Sequence, residues 1–227
     1  VLEWYGIPGI GKTTLGEMIA DLCVEMKVPF SRVDFDSGKN PRAEQYIEDP
    51  VMILEDLFVG LGVEEAKTFR EALERYHQTE PGSFIHQDRQ RRVVEAFREY
   101  LERLMEQGPV VLLFDTTDQA PAEVTTWLEE QLISPLALTG KCLIIWTGRY
   151  PQRWKRFEVR RRVVSQKLEP LPEKFTIEHV GPIGSKVYRL TRGHPMGNEE
   201  VARAIEEYRI KGQEALDREL LNRLMDR

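Results

Sequence analysis

Eight residues near the start of the chain constrain it more than any others: Gly6-Ile7-Pro8-Gly9-Ile10-Gly11-Lys12-Thr13. Their spacing is G-x-x-x-x-G-K-T, the pattern of a phosphate-binding loop. Residues 1–5 before it read as a short strand. Residues 13–26 after it read as a helix with Leu15, Met18, Ile19, Leu22 and Met26 on one face. Strand, loop and helix are the context that the pattern needs. Gly9 and Gly11 let the backbone curl so that its N–H groups converge on phosphate oxygens. The helix N-terminus adds the positive end of its dipole. Lys12 is suited to bridge the β- and γ-phosphates, Thr13 to offer a hydroxyl to Mg²⁺, and Thr14 to reach the α-phosphate. A glycine-rich turn that merely caps a helix is the plain alternative. Gly6, Pro8, Gly9, Ile10, Gly11, Lys12, Thr13 and Thr14 are therefore the candidate nucleotide-binding residues.

The rest of the chain supplies strands alternating with helices. Residues 32–36 read as a second strand. Asp49-Pro50 marks a helix start, and that helix carries Leu54, Leu57, Phe58 and Leu61 before stopping at Gly60 or Gly62. Helices follow over 64–76 and 84–107, the longer with Val93, Val94, Phe97, Leu101, Leu104 and Met105 inward. Apolar strands over 110–115 and 142–146, a helix over 121–132 and a weaker strand over 163–168 complete an α/β pattern. It predicts a doubly wound five-stranded parallel sheet. Beyond about residue 170 the pattern is all helical, over 172–180, 183–192, 199–210 and 213–225. Two domains are expected, over 1–169 and 170–227, the second a small helical domain.

Two further motifs carry chemistry. Val111-Leu112-Leu113-Phe114-Asp115 is an apolar strand closed by an acid. After a phosphate loop, that acid is expected to support Mg²⁺ at the strand's C-terminal end. Asp118 either orients an attacking water or caps the helix near Pro121. The next strand ends in Thr147-Gly148-Arg149, and the guanidinium fork of Arg149 suits a γ-phosphate. Asp115, Asp118 and Arg149 are the catalytic candidates, with Thr13 and Asp115 as metal ligands. A basic segment follows, with Arg153, Lys155, Arg156, Arg160, Arg161, Arg162 and Lys167 opposed by Glu158. It reads as a solvated face, ahead of a contact to an acidic subunit or a nucleic-acid patch.

These residues resemble the STAND class of P-loop NTPases, which includes the NB-ARC and NACHT modules. The phosphate loop through Leu15, the pair Asp115 and Asp118, and Thr147-Gly148-Arg149 all carry the resemblance. So does Leu190-Thr191-Arg192-Gly193-His194-Pro195-Met196, which is similar to the Gly-x-Pro motif of the family's helical domain. A helix stop and turn is the plain reading of that stretch. The resemblance spans nearly the whole chain. It implies a sheet of the ASCE type and an ATP/ADP switch with Mg²⁺, in which Pro195 lines the base and Arg149 senses the γ-phosphate. It implies slow hydrolysis, self-association on activation, and covalently linked effector and sensor domains. The chain opens on the loop strand without Met, which reads as a piece of a longer protein. The family's winged helix and its segment before the first strand would lie outside this sequence. Residue 116 is Thr where NB-ARC members often carry a second acid.

Other readings remain. A nucleotide or small-molecule kinase shares the loop but needs an arginine-rich lid and an acceptor pocket. An AAA+-like ATPase would lay the basic segment on nucleic acid, yet the net charge of -6 opposes this. A GTPase would need an Asn-Lys-x-Asp motif, which is absent. A degenerate domain would not need Lys12, Thr13 and Asp115 together. The 41% hydrophobic content permits a real core. The two cysteines, Cys23 and Cys142, read as buried reduced thiols of a cytoplasmic protein. His77, His86, His179 and His194 are scattered and form no zinc pattern. No apolar run is long enough to span a membrane.

Overall fold

The computed structural model describes residues 1–62 and 66–209, the side chains of residues 182, 208 and 209 apart. The helix expected over 213–225 lies outside them. The strands are β1 (Leu2–Tyr5), β2 (Phe30–Asp34), β3 (Val110–Asp115), β4 (Cys142–Gly148) and β5 (Val164–Lys167). They form one five-stranded sheet, ordered β2-β3-β4-β1-β5, in which every pairing is parallel. Its helices are α1 (Lys12–Met26), α2 (Gln45–Glu48), α3 (Val51–Leu61), α4 (Lys67–His77), α5 (Phe84–Gln107), α6 (Ala122–Leu128), α7 (Ser134–Thr139) and α8 (Phe157–Arg160). Later in the chain come α9 (Glu173–Val180), α10 (Gly184–Thr191) and α11 (Pro195–Arg209). The fold is α/β. Among the described residues, no helix is long and apolar enough to cross a membrane.

The chain divides into two compact units. One is Val1–Tyr5 with Lys12–Lys167; the other is Gly6–Gly11 with the residues from Leu168 onward.

In the first unit the core is built on β3, all of whose six residues are buried. Successive side chains of a strand face opposite sides of its sheet. Val110, Leu112 and Phe114 join Val33, Ile144 and Trp146 in one cluster with the apolar faces of α3, α4 and α5. Leu113, of opposite parity, meets Gly16 of α1, where an added Cβ would lie 2.7 Å from Leu113 Cδ2. α5 forms as its sequence predicts. The Ser83 hydroxyl caps it by accepting from His86 N–H at 3.1 Å, and its inward residues are buried. Phe58, Phe69, Phe97 and Tyr100 form a chain of ring contacts at 5.0–6.0 Å between centroids, within reach of favourable edge and tilted geometries.

Some local expectations change. The inward face of α1 is not the Leu15–Met26 stripe: Gly16 and Cys23 are its buried residues, while Met18, Leu22 and Met26 are exposed. The physical reason is close approach. Thr13, Gly16, Ala20 and Cys23 recur at helical spacing, and their small side chains let the backbone of α1 settle against β3. The helix expected over 121–132 runs on as far as Thr139, with a π turn at Glu129–Ile133 between α6 and α7. α11 begins at Pro195 rather than at 199, because proline suits a first helical turn.

In the second unit α9, α10 and α11 pack on one another. Thr176, Val187, Asn198 and Val201 are buried there, and the Asn198 amide reaches the Thr176 hydroxyl at 3.4 Å.

Candidate functional site

β3 ends at Asp115 and β2 ends at Asp34, and the two are paired across the sheet. The C-terminal edge of a parallel sheet is where ligands bind in open α/β folds. Asp115 is 1% exposed, and both of its oxygens are engaged. Oδ1 accepts from the Thr116 N–H at 2.9 Å and from the Thr147 hydroxyl of β4. Oδ2 accepts from the Thr13 hydroxyl of α1 at 3.1 Å and from Arg32 Nη2 of β2 at 2.6 Å. Four elements thus aim one carboxylate. Thr116 takes a left-handed backbone (φ 56) just after it, so the chain turns sharply away from the carboxylate.

Beside this cluster lies a second acid. Asp118 sits in a short turn at Thr117–Gln119 whose Thr117 hydroxyl donates to the Thr147 carbonyl at 2.8 Å. The Asp118 carboxylate receives the Arg149 N–H at 3.0 Å and pairs with Arg149 Nε at 3.0 Å. It does not cap the helix after Pro121. Burial holds the Lys12 ammonium below its ordinary value of 10.5; Asp118 and Asp115 oppose that shift and Arg149 adds to it. Lys12, Thr13, Asp115, Asp118 and Arg149 therefore form one electrostatic neighbourhood. Thr14 follows on α1 and is exposed.

The basic segment is partly engaged by the fold. Buried Glu129 accepts from the N–H groups of Lys155 at 2.7 Å and Arg156 at 2.6 Å. Arg156 pairs with Glu130 at 3.0 Å, and buried Glu3 accepts from the Gln152 N–H at 2.7 Å.

Gly6–Gly11 belongs to the second unit. Gly9 (φ 72) and Gly11 (φ 100) use the left-handed backbone that glycine tolerates. The stretch Gly193-His194-Pro195-Met196 meets this segment. His194 Nε2 lies 2.8 Å from the Pro8 carbonyl oxygen, and the Met196 N–H donates to the Gly9 carbonyl at 3.3 Å. A Cβ at Gly9 would lie 2.8 Å from His194 Cε1, so the contact needs glycine. Ile10 is buried, Gly6 sits 3.0 Å from the Leu168 carbonyl oxygen by the same measure, and Pro195 opens α11.

No protein-family model matches the chain, and no match to it is found among curated proteins.

The donor set suits a hard cation. Thr13 and Asp115 supply oxygens. Mg²⁺ is commonly held this way, by one or two protein oxygens together with phosphates.

Arg32 and Asp34 were not legible as site residues. The sequence places the second strand at 32–36, which hides that Asp34 ends it. Their one signal is the acid at a strand's C-terminal end, the same signal that singled out Asp115. Which strand neighbours β3 is decided by tertiary pairing.

Proposed function

We propose that this chain is an ATP- and ADP-binding switch domain of the STAND class, with slow hydrolysis, working within a larger signalling protein. The observation that carries the proposal is the Thr13–Asp115 hydrogen bond, which joins two motifs 102 residues apart. Packing of α1 on β3 brings its first turn near the strand end, and the bond sets a hydroxyl beside a carboxylate there. That pair is the one needed if both support Mg²⁺ on a bound triphosphate. The strand order adds support, since β4 lies between β1 and β3, the arrangement that the ASCE type denotes.

In this reading Mg²⁺, when bound, would supply charge neutralisation at the phosphates. Thr13 and Asp115 would hold it, and Thr116 N–H and Thr147 keep the carboxylate aimed. Lys12 offers its ammonium to the phosphates. Burial weakens its competing hydration, which favours an anionic partner. Arg149 is paired with Asp118. It reaches a γ-phosphate only by leaving that acid, and its release frees Asp118 to orient water. Making one event depend on the other keeps turnover slow, far below the ordinary ~10 s⁻¹. The turn at His194 holds the backbone of Pro8 and Gly9, so loop occupancy is felt in the helical unit. Such coupling suits a switch that controls self-association and an attached effector.

Purification without added nucleotide, followed by denaturation and identification of what is released, tests this. ADP in near-equal amount is the expected result. An empty protein that binds neither ATP nor ADP in the presence of Mg²⁺ would sink the proposal. A second reading, phosphate transfer to a small acceptor, draws on the shallow cavity lined by Arg32, Asp34, Lys39, Asn40, Tyr46 and Asp56 at the end of β2. Phosphate release or transfer that rises with added nucleoside monophosphates would favour it.

A further inference from the structure

Arg32 of β2 does something that neither phosphate binding nor packing requires. Its Nη2 lies 2.6 Å from Asp115 Oδ2 and 3.0 Å from Asp34 Oδ2, bridging the two strand-terminal acids. Oδ2 is also the oxygen that receives the Thr13 hydroxyl. It is therefore the oxygen that faces the loop threonine, where a metal shared by Thr13 and Asp115 would sit. The Asp115 side chain is 2% exposed, that of Asp34 11% and that of Arg32 27%. A carboxylate this buried is costly to leave uncompensated. Arg32 cannot lose its charge at any ordinary pH. Yet its own fit is incomplete: its Nε is buried without a hydrogen-bond partner among the described residues.

Resting on the nucleotide reading above, we propose that Arg32 is a built-in counter-cation, which neutralises Asp115 until Mg²⁺ arrives and then yields it and is kept by Asp34. Two cations cannot share one carboxylate oxygen without strong repulsion, so the metal loads by exchange. Asp34 makes that exchange possible. It already receives the same Nη2, and its Oδ1 is fixed by the Asp36 N–H at 3.0 Å. Arg32 need only swing from the shared position towards Asp34, without leaving for solvent. The device sets a threshold: nucleotide alone leaves Arg32 in place, and nucleotide with Mg²⁺ releases it. Arg32 is thus a positioning residue. It acts on the metal through Asp115.

The test titrates Mg²⁺, from a fully chelated solution upward, against binding of a fluorescent ADP analogue to wild type, Arg32→Met and Arg32→Gln. With the competitor gone, the Mg²⁺ midpoint falls about tenfold in both variants, while metal-free affinity changes less than about twofold. Melting temperatures without nucleotide fall in both variants, and the gap to wild type narrows when Mg²⁺ and ADP are added. An unchanged or higher midpoint in well-folded variants overturns the counter-cation role and leaves the nucleotide reading standing. Failure of wild type to bind the analogue at any Mg²⁺ level overturns both. A measurement on wild type alone guards against variants that do not fold. The Arg32 guanidinium resonance moves on addition of Mg²⁺ with ADP and stays put with ADP and chelator; no movement overturns the proposal.

Discussion

α1 and α5 pack against opposite faces of the same strand, β3, and are built on opposite principles. α5 buries eight residues, among them Phe97, Tyr100 and Leu101. α1 buries Gly16 and Cys23 and leaves Met18, Leu22, Val24 and Met26 exposed. The difference is one of purpose. α5 holds the sheet together through apolar area. α1 is held by its small face and by Thr13 reaching Asp115, so its rotation serves its first turn rather than its apolar stripe. Stability and site are thus carried by different sides of the sheet, and the two sides respond to substitution differently.

The sharpest contrast comes from the covered side. Phe97 is fully buried and touches the rings of Phe69 and Tyr100. Phe97→Ala costs about 3–5 kcal/mol, from lost transfer energy and the cavity left behind. Urea unfolding of the variant measures it. A cost near zero would mean that this side is not the core.

The covered side also governs alkaline stability. Burial, aided by hydrogen bonds to Asp56 and Asp49, raises the Tyr46 and Tyr76 hydroxyls well above their ordinary value of 10.0. Burial pushes Tyr100 up to about 12. These acids stay protonated when folded, whereas the unfolded chain ionises them near 10.0. The stability they contribute is therefore complete below that pH and is lost as pH rises through the folded values. Denaturant midpoints at about pH 9 and about pH 11 should show the fall, with tyrosinate absorbance appearing together with unfolding. Tyrosinate appearing in full before unfolding would place these rings in solvent.

The same contrast explains what could be read in advance. α5 was legible from end to end, because a long helix buried by apolar area writes its period into the sequence. β3 was legible because it is buried on both faces and closes in an acid. The loop motif and Asp115, Asp118 and Arg149 were legible as residue types at meaningful spacings. The rotation of α1 was not, because its contact face is written in small residues, and its apolar stripe outweighs them in any period count. Arg32 was not, because its meaning depends on β2 lying next to β3. The stretch around His194 reads locally as a helix stop and turn. The contact of His194 with the Pro8 carbonyl joins positions 186 residues apart, and no local pattern encodes that.

The bare side gives the smaller effects. Leu22 is about half exposed, and leucine and alanine have similar helix propensities. Leu22→Ala should change stability by no more than about 0.5 kcal/mol. A cost approaching that of Phe97→Ala would mean that something covers α1 in solution, and the comparison would break.

The smallest stability effect belongs to Lys12, and its sign is the informative part. Lys12 is held below its ordinary value of 10.5, first by burial. The folded protein thus binds its proton less tightly than the unfolded chain does. That mismatch opposes folding below the folded value and fades as pH rises towards 10.5. Lys12→Met removes the mismatch, keeps the apolar stem and leaves the nucleotide-free melting temperature unchanged or slightly raised. It should nevertheless abolish nucleotide binding, because the methionine carries no cation for the phosphates. Calorimetric melting and a binding titration on the same sample separate the two effects. A variant that melts much lower would make Lys12 a structural cation and return α1 to the role that α5 plays. A variant that keeps both stability and nucleotide would take the phosphate role from this residue.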